Sequence, residues 1–394
     1  MSAVYFLNDV GVVCPIGATR DEVTRRLFAG DSGVVPSDAY SPGRTFPVGI
    51  ANAALPVLDE WPVQLRSRNN RLALAAIDQI RPAVQAAVSR YGADRVAVVI
   101  GTSTSGIGES EVAIRALVDT GSLPADFHYA QQELNSPARF VARALGLSGP
   151  AQVHSTACAS SAKALASAAR LIGLGVVDAA VTGGVDSLCA FTLAGFSSLD
   201  LLSSHRCNPT SVNRDGINIG EGAALFLMTR EPATVSLRGW GESTDGYHFS
   251  SPDPSGNGAR LAMEGALRRA GTETGAIEYV NLHGTGTRQN DAMETRVVHA
   301  LVGDRVAVSS TKPLTGHTLG AAGAIEAAFC WLTMQDENAE GRLPPQLWDG
   351  AIDPALAPVR AVAIGDRLGH PPRIALSNSF AFGGANAALV FGRE

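Results

Sequence analysis

The stretch Ala151-Gln-Val-His-Ser-Thr-Ala-Cys158-Ala-Ser-Ser-Ala-Lys-Ala-Leu-Ala-Ser-Ala-Ala-Arg-Leu-Ile-Gly-Leu174 decides the reading of the fold. Ala151 to Thr156 reads as a strand, and Ala159 to Leu174 as an alanine-rich helix, with Cys158 at the junction. A cysteine there faces free backbone N–H groups and the positive end of the helix dipole, both of which favour the reactive thiolate. The small neighbours Ala157, Ala159 and Ser160 leave room for a carbonyl to approach, and the same N–H groups can hold an oxyanion. A buried structural cysteine is the bland alternative, and position by itself does not separate the two.

Outward from this segment, strand-like apolar runs alternate with helical patterns, which is the signature of an α/β architecture. Val96–Ile100, Ala179–Val181, Ala223–Met228, Tyr279–Leu282, Val306–Val308, Ile374–Leu376 and Ala387–Phe391 read as core strands. Ser136-Pro137 through Gly146 carries the start and stop signals of a helix. Arg71 to Arg90 is a long amphipathic helix with a break expected at Pro82. The Glu231-Pro232 turn divides the chain into two halves, 1–232 with Cys158 and 233–394, expected to share one core.

With 394 residues, 45% hydrophobic and 17% charged, the chain buries a sizeable core. A formal charge of −6 without a basic tract argues against nucleic acid. No uncharged apolar run is long enough to span a bilayer. Met1 to Pro15 lacks a basic leader and reads as a strand, so a cytoplasmic protein is expected. Five cysteines at irregular spacing form neither a zinc ribbon nor a redox pair. Among 31 basic residues only Lys163 and Lys312 are lysine, so each asks for a reason.

Two further segments supply partners for Cys158. Tyr279-Val-Asn-Leu-His283-Gly-Thr-Gly-Thr287 and Ser309-Ser-Thr-Lys312-Pro-Leu-Thr-Gly-His317 each run from a strand into a polar turn that ends or carries a histidine. In α/β folds the carboxyl end of a strand is where ligands sit. Two neutral imidazoles suit an enolate, whose oxygen needs donors already in place. Lys312 and Glu294 are expected to pair beside them and orient the rings. A metal site is the competing idea, weakened by the absence of HxH or HxxxH spacing and by the lysine. At the other end, Leu376-Ser-Asn-Ser-Phe380-Ala-Phe382-Gly383-Gly384 leaves a strand in a paired-glycine turn. There Phe382 reads as a gate, and its backbone N–H as a second oxyanion donor.

Taken in order, Thr-Ala-Cys158 before a helix, His283-Gly-Thr-Gly-Thr, Thr-Lys312-x-x-x-Gly-His317 and Asn-Ser-Phe-x-Phe382-Gly-Gly resemble the β-ketoacyl-[acyl-carrier-protein] synthases, over essentially the whole chain. The resemblance implies a thiolase-like five-layer αβαβα fold built from two similar halves. It implies that Cys158 takes an acyl group from a carrier-protein thioester and that a malonyl unit loses CO₂ and condenses with it. His283 and His317 would hold the malonyl carbonyl, and Thr285 and Thr287 the pantetheine arm. Asp245 would lie on a mobile loop facing Phe382, while Ile107 and Phe196 would line the acyl pocket. No cofactor of its own is implied, since substrates arrive on the phosphopantetheine of an acyl carrier protein. The partner subunit would be a second copy or a chain-length-factor-like chain. Arg66-Ser-Arg68-Asn-Asn-Arg71, Gln131-Gln-Glu-Leu and Ser-Phe-Ala381-Phe look most like the ketosynthases of bacterial aryl polyene clusters.

Two departures from the family pattern stand out. Asn208-Pro-Thr210-Ser211 replaces the usual Arg-Pro-Phe-Asp, which removes a charged pair from that loop. Ala381 replaces the commoner glycine beside the gate and narrows its backbone freedom. An acidic carrier needs a local basic patch, for which Arg66, Arg68, Arg71 and Arg206 are the candidates. Acyl transfer without condensation, a thiolase reaction and a non-catalytic chain-length factor are the alternatives. The Phe-Gly-Gly loop lacks the second cysteine of a thiolase, and a chain-length factor lacks the nucleophile.

Overall fold

The computed structural model describes residues 4–394; of the segment read as an N-terminal strand, Met1–Ala3 lie outside the described residues. The first half runs β1 (Tyr5–Val13), α1 (Arg20–Ala29), β2 (Val34–Ser37), β3 (Phe46–Gly49), α2 (Arg68–Tyr91), β4 (Val96–Gly101), α3 (Ile107–Thr120) and α4 (Ser136–Leu145). It continues through β5 (Ala151–His154), α5 (Ser160–Gly173), β6 (Ala179–Asp186), α6 (Ala190–Ser198), β7 (Ile219–Gly220) and β8 (Gly222–Thr229). The second half runs β9 (Val235–Thr244), α7 (Asn257–Ala270), β10 (Tyr279–Asn281), α8 (Arg288–Val302), β11 (Ala307–Ser309), α9 (Lys312–Thr315), α10 (Ala322–Thr333), β12 (Arg360–Ala361), β13 (Ile374–Phe380) and β14 (Ala385–Arg393).

The halves repeat one topology. In the first, the strand order is β5-β4-β6-β8-β1, and in the second β11-β10-β13-β14-β9. In each, the first strand is antiparallel to the last, the last is antiparallel to its next neighbour, and the remaining pairs are parallel. Tyr5 opposite Leu237 and Phe6 opposite Ser236 join the two into one 11-stranded sheet. The repeat extends to single residues. A Cβ on Gly11 of β1 would lie 1.9 Å from the Ala76 carbonyl oxygen of α2, and one on Gly241 of β9 would lie 1.8 Å from that of Ala262 of α7. Only glycine lets a helix backbone ride that close to a strand.

Layering follows from which faces are apolar. Helices α2 and α4 cover the outer face of the first half-sheet through Leu72, Ile77, Ile80 and Phe140. Ala259, Met263, Val297 and Val298 of α7 and α8 cover the outer face of the second. Between the half-sheets lie α5 and α10, rich in alanine and buried together with Phe226, Tyr279 and Phe391. The result is the five-layer thiolase-like arrangement. Small side chains on α5 and α10 let both half-sheets close over them, and this places the N-terminal ends of the two central helices, with their preceding turns, side by side.

One expectation is corrected: α2 continues as a single helix through Pro82. Proline costs a backbone hydrogen bond, but Ile77, Ile80, Val84 and Ala87 are buried on both sides of it, and their packing holds the helix together.

Candidate active site

The nucleophile turn leaves β5 at His154 and enters α5 at Ser160. Ala157 takes a positive φ of 48°, a conformation an L-residue adopts only under restraint. Ser160 supplies that restraint: its hydroxyl donates to the Ala157 carbonyl at 2.5 Å and accepts from the Thr156 amide at 2.8 Å. Cys158 is therefore presented at the head of α5, 4% exposed. The backbone amides of Cys158 and Phe382 both favour the charged form of its sulfur.

The thiolate expected at this position is not the resting state. Burial pushes the Cys158 thiol up to about 11, and Lys312 and the two amides offset only part of that. The proton therefore needs an acceptor, and Nε2 of His317 lies 2.9 Å from Sγ.

His283 and His317 reach the cysteine from two turns of the second half. His317 is held by its backbone, its amide donating to the Asn218 carbonyl at 2.6 Å and its carbonyl accepting from Gly220 at 2.9 Å. The rings of His283 and His317 meet edge to face at 84° with centroids 5.3 Å apart. Burial first, and then the charge of Lys312, hold both imidazoles well below their ordinary pKa, so both rings are neutral.

The expected Lys312–Glu294 pair does not form. Glu294 accepts instead from the amides of His283 and Gly284, at 2.7 Å each, and from Asn378 at 3.1 Å. It clamps the His283 turn to α8 and to β13. Lys312 pairs with Glu326 at 2.6 Å and also donates to the His283 carbonyl. Glu326 escaped the sequence reading although a signal was present: it is the one charged residue in the otherwise apolar Ala322–Thr333 helix. A carboxylate buried in such a helix calls for a cation or for a proton.

The Phe382 loop closes one side. Gly383 and Gly384 have φ of 78° and 75°, Gly383 N–H donates to Phe249 O at 2.8 Å, and Asp245 N–H donates to Gly384 O at 2.8 Å. The Asp245 carboxylate accepts from Asn386 at 2.7 Å. The two loops thus face each other directly. Phe382 packs on Phe196 with centroids 5.3 Å apart. Beneath them a cavity of about 160 Å³ reaches Cys158, His283, His317, Phe196, Phe382, Thr285 and Thr287. Ile107 stands at the start of α3 and is not among the residues lining it. Ala381 does line it, with extended backbone angles that require no glycine.

Three of the four arginines considered for carrier docking are engaged within the chain. Arg68 binds Glu221, which is fully buried. Arg66 donates to the carbonyls of Trp61 and Asp59, and Arg71 to those of Pro56 and Leu55. Arg66 and Arg71 fasten the segment ahead of α2 and Arg68 ties the start of α2 to Glu221, whereas Arg206 is exposed. In the altered 208–211 loop Thr210 N–H donates to Asp291 at 2.8 Å and Ser211 donates to Asp349 at 2.8 Å, and just beyond it Arg214 pairs with Asp353 at 2.6 Å.

The donor atoms of Cys158, His283 and His317 lie within 4.8 Å of one another. A cation there would share the pocket with the Lys312 charge that already disfavours protonation of both rings, so the set suits a carbonyl or enolate oxygen better than a metal.

A cysteine under two backbone amides, faced by two neutral imidazoles between paired thiolase-like halves, defines a thiol-based condensing enzyme. The chain belongs to the β-ketoacyl synthase family: residues 10–233 match the beta-ketoacyl synthase N-terminal domain, and residues 234–347 match the C-terminal domain. It is 33% identical to 3-oxoacyl-[acyl-carrier-protein] synthase 2 of Rhizobium meliloti, over 98% of each chain. It is 30% identical to the protein of that name from a Synechocystis strain, over 98% of this chain and 97% of the other. Among solved structures, a ketosynthase in complex with its chain length factor from Xenorhabdus doucetiae is 43% identical with a TM-score of 0.94, covering 100% of this chain and 98% of that one. A beta-ketoacyl synthase from Burkholderia phymatum is 28% identical with a TM-score of 0.86 over all of both chains. The enzyme is accordingly an acyltransferase of the 3-oxoacyl-synthase type. Among the described residues, no helix is long and apolar enough to cross a membrane.

Proposed function

We propose that Cys158 carries the growing acyl chain and that the enzyme extends it repeatedly with malonyl units in a polyene-type pathway, beside a chain-length-factor-like subunit. The observation that carries the mechanism is the 2.9 Å approach of His317 Nε2 to the Cys158 sulfur, under the amides of Cys158 and Phe382. Sγ attacks the carrier thioester as His317 takes its proton. The amides hold the tetrahedral oxyanion, and the carrier thiol leaves with the proton. A malonyl thioester then enters, and His283 and His317 hold its carbonyl oxygen. Loss of CO₂ gives the enolate, whose carbon attacks the acyl-enzyme and expels the Cys158 thiolate, which takes a proton from water to return to the thiol. Lys312 keeps both rings neutral and Glu294 holds the His283 turn, so both act by position and field. Thr285 and Thr287, at the mouth, suit the amides of a pantetheine arm.

The polyene assignment rests on the motifs around Arg68, Gln131 and Ala381 and accords with the 43% identity to a ketosynthase solved with a chain length factor. Exposed Val112, Ile114, Val118 and Phe191 on α3 and α6 suit coverage by a second chain of the same fold. Five unpaired cysteines accord with a cytoplasmic location. The test is intact-mass analysis with acyl and malonyl carriers. Cys158→Ala forms no acyl adduct but still releases CO₂ from malonyl carrier. His317→Ala, which lacks the acceptor for the thiol proton, forms the adduct only slowly and fails to condense. Full condensation by either variant refutes the assignment.

A further inference from the structure

Asp186, the last residue of β6, is fully buried and takes no part in the steps above. Its Oδ1 accepts from the Thr102 hydroxyl at 2.6 Å, the Ser103 amide at 2.8 Å, and the Thr104 amide and hydroxyl at 2.9 Å each. Its Oδ2 accepts from the Gly320 amide at 2.5 Å. Burial raises the Asp186 carboxyl above its ordinary range, while the hydrogen bonds from Thr102, Ser103 and Thr104 pull it back down; three of its donors are amides, which cannot accept a proton and so favour the ionised form.

The donors come from two separate segments that border the nucleophile. Thr102–Thr104 follows β4, beside the Cys158 turn, with Ser103 donating to the Ala157 carbonyl at 3.4 Å. Gly320 belongs to the turn that presents His317, and that turn, like the Cys158 turn, contains a non-glycine positive φ, 52° at Leu319. A Cβ on Gly320 would stand 2.7 Å from Asp186 Oδ2 and 2.7 Å from the Ser103 hydroxyl oxygen, so this residue is fitted against the carboxylate. The first half of the chain carries Cys158 and the second carries His317. Asp186 is the charged group that ties the two turns together.

We infer that Asp186 is a positioning residue, whose carboxylate fixes the His317 turn against the Cys158 turn and so sets the sulfur-to-imidazole distance on which acyl transfer and condensation depend. It touches neither substrate nor the reacting atoms. Its negative charge also opposes ionisation of Cys158, partly cancelling Lys312. Removing the carboxylate charge therefore has two effects of opposite sign: the thiolate becomes easier to form, and the imidazole loses its place.

The test uses the full-length enzyme with Asp186→Asn and, as an independent perturbation of the same bond from the other side, Gly320→Ala. The expected result for Asp186→Asn is condensation slowed by about 100-fold, the scale of an ångström's misplacement. At the same time, the pH profile of Cys158 alkylation by iodoacetamide shifts to lower pH. Gly320→Ala, which keeps the carboxylate charge, is expected to leave that profile unmoved. Gly320→Ala is expected to slow condensation similarly while remaining folded by circular dichroism. The inference is overturned if a folded Asp186→Asn condenses within twofold of the parent or leaves the alkylation profile unmoved. If Asp186→Asn does not fold, Gly320→Ala decides: parental condensation by that variant overturns the inference.

Discussion

Replacing Lys312 by methionine keeps its volume and removes its charge, leaving Glu326 alone in a buried site. The side chains are 2% and 4% exposed and 2.6 Å apart, so solvent screens the pair little. Breaking a buried pair by removing one partner costs about 3–5 kcal/mol when the remaining charge cannot escape. Glu326 can escape. Burial has already raised it to about 7 against Lys312's pull, and without the lysine it rises further and takes up a proton. The sign follows from linkage: a carboxyl raised above its unfolded value contributes stability at low pH and loses it as pH rises through the folded pKa. The parent completes that loss near pH 7, while Lys312→Met continues to lose. The penalty is therefore level below pH 7 and grows by about 1.4 kcal/mol per pH unit above it, towards the 3–5 kcal/mol limit. Urea unfolding at pH 6, 7, 8 and 9 measures it. Lys312→Met/Glu326→Gln is expected to recover most of the stability but not malonyl decarboxylation, since His283 still lacks the ammonium on its carbonyl. A penalty independent of pH from 7 to 9, or a double variant no more stable than the single one, refutes the reasoning.

Other outcomes follow from the same geometry. Cys158 alkylation in the free enzyme should rise with pH towards a midpoint near 11; a midpoint below 8 would show that the helix end outweighs burial. Arg68→Glu places a second carboxylate against buried Glu221, so a drop of about 3–5 kcal/mol in stability is expected. An unchanged melting temperature with only a raised KM for the carrier would return Arg68 to docking. Gly384→Ala sets a Cβ 2.8 Å from that of Asp245 at a φ of 75°. It should cost about 1–2 kcal/mol and slow condensation, and parental rate and stability would exclude the contact.

The motifs carried a large part of the site because each catalytic residue sits at the end of a strand, where local chemistry is legible: a small-residue turn before an alanine-rich helix at Cys158, and glycine–threonine turns around His283 and His317. Partner assignments were less legible. Glu294 is 18 residues from Lys312 and Glu326 is 14, and neither separation says which carboxylate points inward. Arg66, Arg68 and Arg71 are basic and closely spaced, yet whether a guanidinium meets a carrier or its own chain depends on the fold of the 55–61 segment for Arg66 and Arg71, and on the placement of Glu221 for Arg68.

The sequence by itself determined the alternation of strands and helices and the order of the four motifs, because these depend on residue type and local period, and the family those motifs resemble carried the reaction class. Only the tertiary structure decided that Cys158 rests as a thiol, that Lys312 answers to Glu326 and that Asp186 spans the two turns. Those outcomes depend on desolvation and on distances of a few ångströms between residues far apart in the chain, and both exist only once α5 and α10 are enclosed between the two half-sheets.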